Sequence, residues 1–176
     1  SQWGITTTSD PFVWTGALGA GNQNWSANAN WSGGIAPSST DVARFDSSCG
    51  SNCTANIDSN INLAGVNILA SFTGSITQLS GHTITLGASG WSQANGTFTG
   101  GDSDIILTNS DLTLTNGTFT STSTTLTLQK TLNISATATF NHNNGTLKLT
   151  GSNNITLTTN SNLTLYNLIH QQSATG

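Results

Sequence analysis

Apolar residues over most of this chain alternate one for one with Thr, Ser and Asn. Leu112-Thr113-Leu114, Leu126-Thr127-Leu128 and Leu147-Lys148-Leu149 are examples. A period of two puts successive side chains on opposite faces of a strand. The strands are short, because corner residues interrupt them: Gly87 and Gly90, Asn109, Asn116-Gly117, Asn144-Gly145, Gly151. Gly and Asn tolerate the positive φ that tight corners require. The apolar clusters fall about seven residues apart, as in Ile105 with Leu107, Leu112 with Leu114, then Phe119. Heptad spacing also suits a coiled coil, but the intervening Thr, Ser, Asn and Gly disfavour helix. Each unit of this length therefore reads as a short strand plus a corner.

Three such units make a longer period. Phe98, Phe119 and Phe140 are 21 residues apart. Ile84, Ile105, Leu126, Leu147 and Leu168 form a second column at the same spacing, and Leu86, Leu107, Leu128 and Leu149 a third. A looser fourth runs through Trp91, Leu112 with Leu114, Leu132 with Ile134, and Ile155 with Leu157. A fixed period of this size marks a stack of repeats. The pattern predicts an all-β fold, a parallel β-solenoid of about 21 residues per coil, with each strand pairing to its equivalent in the next coil. A β-sandwich of hairpins is the alternative, but it gives no reason for a 21-residue register. The segment from Ile57 to Gln78 fits that register poorly and reads as an irregular first coil, giving four to five coils in all.

Composition agrees. Thr, Ser, Asn and Gly make up 94 of the 176 residues, which leaves few good helix formers for a surface. Only 10 residues are charged, seven Asp against Arg44, Lys130 and Lys148, with no Glu. Three basic residues cannot neutralise a phosphate backbone, so a nucleic-acid partner is not expected. No apolar run is long enough for a membrane-spanning helix, and no membrane insertion is expected. No signal peptide is visible at Ser1.

Residues 1–56 differ from the rest: they hold four of the five Trp, both Pro and both Cys. A solenoid end exposes unpaired strand edges and apolar core. The natural role of residues 1–56 is an irregular, Trp-rich N-terminal cap on the solenoid of residues 57–176, the two forming one structural domain. Cys49 and Cys53 stand as Cys-Gly-Ser-Asn-Cys. A disulfide closing this loop is the leading reading and implies an oxidising compartment. A metal site needs more ligands, and the nearest His is His82; a pair of free thiols is the remaining alternative.

Trp14-Thr15-Gly16, Asn24-Trp25-Ser26, Asn30-Trp31-Ser32-Gly33-Gly34, Pro37, Asp41-Val42 and Phe45-Asp46 resemble the opening of β-helical repeat domains in large bacterial surface proteins, adhesin-like and autotransporter-like. The Gly-Thr-Phe-Thr and Thr-Leu-Thr-Leu units that follow are similar too. The resemblance covers the chain from Trp14 to about Leu168, and Ser1-Gln2-Trp3 resembles repeats of bacterial fibre-like proteins. It implies a right-handed β-helix, secreted or attached to a cell surface, used in adhesion or as a stalk. The expected partners are a surface glycan or a component of a host, prey or neighbouring cell.

Candidate sites are few. Trp14, Trp25 and Trp31 would suit a platform for sugar rings, with Asn24 or Asn30 bonding hydroxyls; a buried cap is the competing reading. Trp91 falls at an inward position. Asp102 and Asp104 share a strand face and would meet a hard cation only with further ligands. A glycosidase pair would need one carboxyl held protonated, and only Asp111 lies near. His82, His142 and His170 show no metal spacing. No catalytic residue, metal site or cofactor is therefore assigned, and an enzyme is the least favoured class. Thr97 and Thr99, Thr118 and Thr120, then Thr139 and Asn141 make an outward Thr-x-Thr face like that of ice-binding solenoids, although Thr is in any case a good exposed strand residue. Nine Asn-x-Ser/Thr sequons, among them Asn95, Asn116 and Asn162, follow from composition. After Leu163–Ile169 no cap like the N-terminal one follows, so self-association through a C-terminal edge is expected. The leading function is a non-enzymatic extracellular adhesin or surface-fibre module. The alternatives are a filament subunit stacking through solenoid ends, and a carbohydrate- or ice-binding module.

Overall fold

The described residues form fifteen short strands that coil around one core. They are β1 (Val42–Phe45), β2 (Thr54–Ile57), β3 (Ile61–Ile68), β4 (Ser75–Gln78), β5 (Ile84–Gln93), β6 (Thr97–Thr99), β7 (Ile105–Leu107), β8 (Leu112–Leu114), β9 (Gly117–Thr120), β10 (Thr125–Leu128), β11 (Leu132–Ile134), β12 (Ala138–Asn141), β13 (Thr146–Leu149), β14 (Leu157–Thr159) and β15 (Asn167–His170). This is a computed structural model; it describes residues 12–51, 53–151, 155–159 and 163–171. Ser1-Gln2-Trp3 and the sequon at Asn162 lie outside the described residues.

Every strand pairing among the described residues is parallel. The strands form three faces of a β-solenoid. Face A stacks the first halves of β3 and β5, then β7, β10, β13 and β15. Face B stacks β1, the second halves of β3 and β5, then β8, β11 and β14. Face C stacks β2, β4, β6, β9 and β12. A hairpin sandwich would be antiparallel, so that alternative is gone.

The columns counted in the sequence are ladders in the fold. Ile84, Ile105, Leu126, Leu147 and Leu168 are successive partners on face A, as are Leu86, Leu107, Leu128 and Leu149. Phe98, Phe119 and Phe140 are partners on face C, with Ala55 and Ile76 before them. Two points differ from expectation. The stack has about six turns, not four to five, because β1 and β2, inside the segment assigned to the cap, already pair with β3 and β4. Also, Leu132 pairs with Leu157, a 25-residue step, so Ile155 stands outside the column. At ~4.8 Å per rung, six rungs span about 24 Å.

The early coils are longer than the middle ones. Gly65 pairs with Gly90 across a register shift, and Gly87-Ala88-Ser89 stand opposite Ala64 alone, two residues more, and carry β5 round its corner. Gly117 shows why one corner residue cannot vary: its φ is +83°, and a Cβ there would strike the Gly96 carbonyl oxygen of the coil before.

Not all inward positions are apolar. Gln78 and Gln93 are buried. Gln78 donates through Nε2 to the carbonyls of His82 (2.6 Å) and Ser103 (3.0 Å) and accepts from the Gly101 N–H at 2.9 Å. Gln93 donates to the carbonyls of Gly96 (3.1 Å) and Thr118 (3.0 Å) and accepts from Trp91 Nε1 at 3.2 Å. The Gln78 amide ties off backbone groups at a corner, and the Gln93 amide adds a second bond to the Gly96 carbonyl and links it to Thr118 of the next coil.

Candidate functional site

The cap is a distorted extra rung. Val13 bridges to Arg44 in parallel, and Asn24 bridges to Asn56 in parallel. These bridges carry the ladders of faces B and C one step beyond β1 and β2. Trp14 and Trp25 therefore occupy inward positions over Phe45 and Ile57. Trp31 closes the end by bridging antiparallel to Trp14.

This placement bears directly on the sugar-platform reading. Trp14, Trp25 and Trp31 are 0%, 2% and 2% exposed. Their rings pack edge to face, with centroids 5.1 Å apart for Trp14 and Trp31 and 4.7 Å for Trp25 and Trp31, over Phe45. Stacking on a pyranose needs an open ring face, and these rings present none. They form the core of the cap. Asn30 is equally engaged: fully buried, it donates to the carbonyls of Asn22 and Asn24 at 3.0 and 3.1 Å and accepts from the Leu18 N–H at 3.0 Å. Trp31 Nε1 donates to the Trp25 carbonyl at 2.8 Å, whereas Nε1 of Trp14 and of Trp25 has no partner among the described residues. Trp91 is in the core, 2% exposed, against Phe98 and Phe119.

Cys49 and Cys53 form a disulfide, with Cα atoms 5.0 Å apart. It closes the corner between β1 and β2, beside the ion pair of Arg44 Nε with Asp46 Oδ2 at 3.1 Å. Burial raises the Asp46 carboxyl, but hydrogen bonds from Ser48 and the Arg44 guanidinium outweigh it and hold the group below its ordinary value.

Asp41 holds its own turn, accepting from the N–H and hydroxyl of Ser38, whereas four other carboxylates clamp coils together. Asp102 accepts from the Ser80 hydroxyl (2.6 Å) and the Gly81 N–H (2.8 Å) of the coil before, and those two bonds hold its carboxyl below the usual range. Asp104 reaches the other way, accepting from the Thr125 N–H at 3.2 Å, and Asp111 likewise from Thr131 at 3.0 Å. Asp58 accepts from the N–H and hydroxyl of Ser26, tying the cap to the first corner. No group of three or more His, Cys or Asp side chains suited to a metal ion occurs among the described residues. His142 Nδ1 accepts from the Asn144 N–H at 2.9 Å, and its ring stacks on Tyr166. His82, His142 and His170 lie on separate coils, as their spacing suggests.

Two surfaces remain. One is the last described turn, where Leu157, Tyr166, Leu168 and Ile169 are 42%, 60%, 51% and 47% exposed. Leu168 ends a column whose earlier members are at most 3% exposed. The other is the outward side of face C. Among the described residues, no helix is long and apolar enough to cross a membrane.

The fold and its surfaces define the chain as a capped parallel β-solenoid. Compared with protein-family models, curated protein sequences and solved structures, it gives no match.

Proposed function

We propose that this chain is a non-enzymatic extracellular module of a surface or fibre protein, a rigid solenoid that spaces and presents binding surfaces. The observation that carries the reading is the way its chemistry is spent. Asp58, Asp102, Asp104 and Asp111 and the buried amides of Gln78 and Gln93 join one coil to the next, the three cap indoles are buried, and most outward strand positions carry uncharged hydroxyls and amides. Such a body is stiff along its axis, because each rung hydrogen-bonds to two neighbours. The disulfide fits an oxidising compartment. The partner on this reading is a glycan or another component of a neighbouring cell surface. The test is binding of the folded chain to arrayed glycans and to intact cells. Saturable binding that a heat-unfolded sample lacks supports the module. Turnover of any arrayed glycan overturns the non-enzymatic part.

A second reading, a paired subunit, is favoured by the exposed Leu157, Tyr166, Leu168 and Ile169 at one end of the described turns. The other end is closed by the cap. A second copy would therefore meet this one tail to tail, through a two-fold contact. Sedimentation of the wild type against Leu168→Asn decides it. A concentration-dependent dimer that the variant lacks supports the contact, and a monomer at all concentrations removes it.

A further inference from the structure

The outward side of face C is unlike the other two. Its residues form two files in strict register: Thr54, Ser75, Thr97, Thr118 and Thr139 in one, Asn56, Thr77, Thr99, Thr120 and Asn141 in the other. Of these ten, seven are Thr, one Ser and two Asn, and none is charged. The sequence showed three rungs; the fold adds the rungs of β2 and β4. Faces A and B lack this uniformity. The outward residues of face A include Ile106, Lys148 and Ile169, and those of face B include Arg44, Gly65 and Gly90.

The hydroxyls in the middle of the array are uncommitted. Ser75 Oγ meets Thr54 Oγ1 at 3.5 Å near one end, and Asn141 Nδ2 donates to Thr120 Oγ1 at 3.3 Å at the other. Between them the hydroxyls of Thr97, Thr99, Thr118 and Thr139 bond to nothing within the described residues. Corner hydroxyls behave differently: those of Thr115, Thr122 and Thr137 are spent on backbone carbonyls. Face C thus offers a periodic array of hydroxyls, most of them free among the described residues, with a methyl beside each Thr hydroxyl, on a backbone held by ladder hydrogen bonds.

The outward side of a sheet is not itself a cleft and does not enclose a discrete small molecule. Without charge it has no hold on an ion or a phosphate. A periodic solid is a different matter. Two O–H···O links of ~2.75 Å meeting at the tetrahedral angle place alternate oxygens about 4.5 Å apart. The rungs lie ~4.8 Å apart. The accumulated drift over four intervals is about 1.2 Å, under half of one such link, so all five rungs stay in phase with a hydrogen-bonded water lattice. We infer that face C binds ice, its hydroxyls entering the lattice and its methyls seating water between the rungs. This assigns a ligand to one face of the module and does not depend on the glycan or tail-to-tail readings above.

The experiment uses the purified full chain, fluorescently labelled, with a single ice crystal grown slowly in its solution, and growth below the melting point followed under a microscope. The expected result is labelled, faceted ice with arrested growth. Thr99→Tyr and Thr118→Tyr, which lift the lattice off the array, lose both effects. Thr85→Tyr and Thr127→Tyr on face A keep them. Far-ultraviolet circular dichroism checks that each variant is folded. If folded wild type neither shapes nor enters ice, the inference is wrong. Loss of the effect in the face A variants to the same degree also overturns it. So does adsorption to microcrystalline cellulose or chitin through face C with no effect on ice, which would make the periodic ligand a polysaccharide.

Discussion

Phe119→Ala removes a ring that is 1% exposed and stands between two others. Its centroid lies 4.8 Å from Phe98 and 5.9 Å from Phe140, and Trp91 meets it edge-on at 5.4 Å. A buried Phe→Ala change costs about 3–5 kcal/mol, and the spread reflects how far the site can collapse. Here collapse is resisted, because the ladder bonds of β6, β9 and β12 hold the rungs at their spacing. The cost should therefore fall near the top of the range, about 4–5 kcal/mol. With a urea slope of about 2 kcal/mol/M, the midpoint should fall by roughly 2 M. Phe140→Ala should cost less, since Phe140 is only half-buried and meets Phe119 alone among the described rings. Thr118→Ala, one residue from Phe119 but facing out, should cost under about 0.5 kcal/mol. Equilibrium urea unfolding followed by both Trp fluorescence and far-ultraviolet dichroism is the assay, because repeat stacks can lose two-state behaviour. Equal, small midpoint shifts for Phe119→Ala and Thr118→Ala would refute the inward and outward assignment.

Three further outcomes follow from the cap and its corner. Trp31→Phe should destabilise more than Trp14→Phe in the same assay, because it deprives the Trp25 carbonyl of its donor, whereas Trp14 Nε1 has no partner to lose among the described residues. Reducing the Cys49–Cys53 bond reopens a loop of only five residues; the chain-entropy cost is roughly 2 kcal/mol, so the solenoid should survive with a lowered urea midpoint. The folded Asp46 carboxyl lies below its unfolded value, so its contribution is present at neutral pH and is lost as pH falls below about 4 through the folded value; Asp46→Asn should make the decline of the urea midpoint between pH 5 and pH 2 shallower.

The repeat was legible because the ladders demand it. Parallel rungs force equivalent residues into one file, so Phe98, Phe119 and Phe140 had to appear at one spacing. Where the chain adds residues between strands, as at Gly87-Ala88-Ser89 or between Leu149 and Leu157, spacing ceases to report register. That is why Ile155 was misplaced and the early coils looked irregular. Gln78 and Gln93 were invisible for another reason: an amide that satisfies buried corner carbonyls has the same letter as one facing water. The cap tryptophans were ambiguous in kind, since an indole beside Asn and Ser suits a sugar platform and a wetted cap equally well. Only the bridges Val13–Arg44 and Asn24–Asn56 reveal that these rings continue the inward files. Face C was partly legible, and its full extent depended on finding β2 and β4 in register with β6.

The most direct test of the coiled register is a ring-to-ring proton Overhauser experiment on protein labelled at Phe. The fold requires cross-peaks between Phe98 and Phe119 and between Phe119 and Phe140, and none between Phe98 and Phe140, which stand two rungs apart. A Phe98–Phe140 contact, or the absence of both neighbouring contacts in folded protein, would contradict the solenoid.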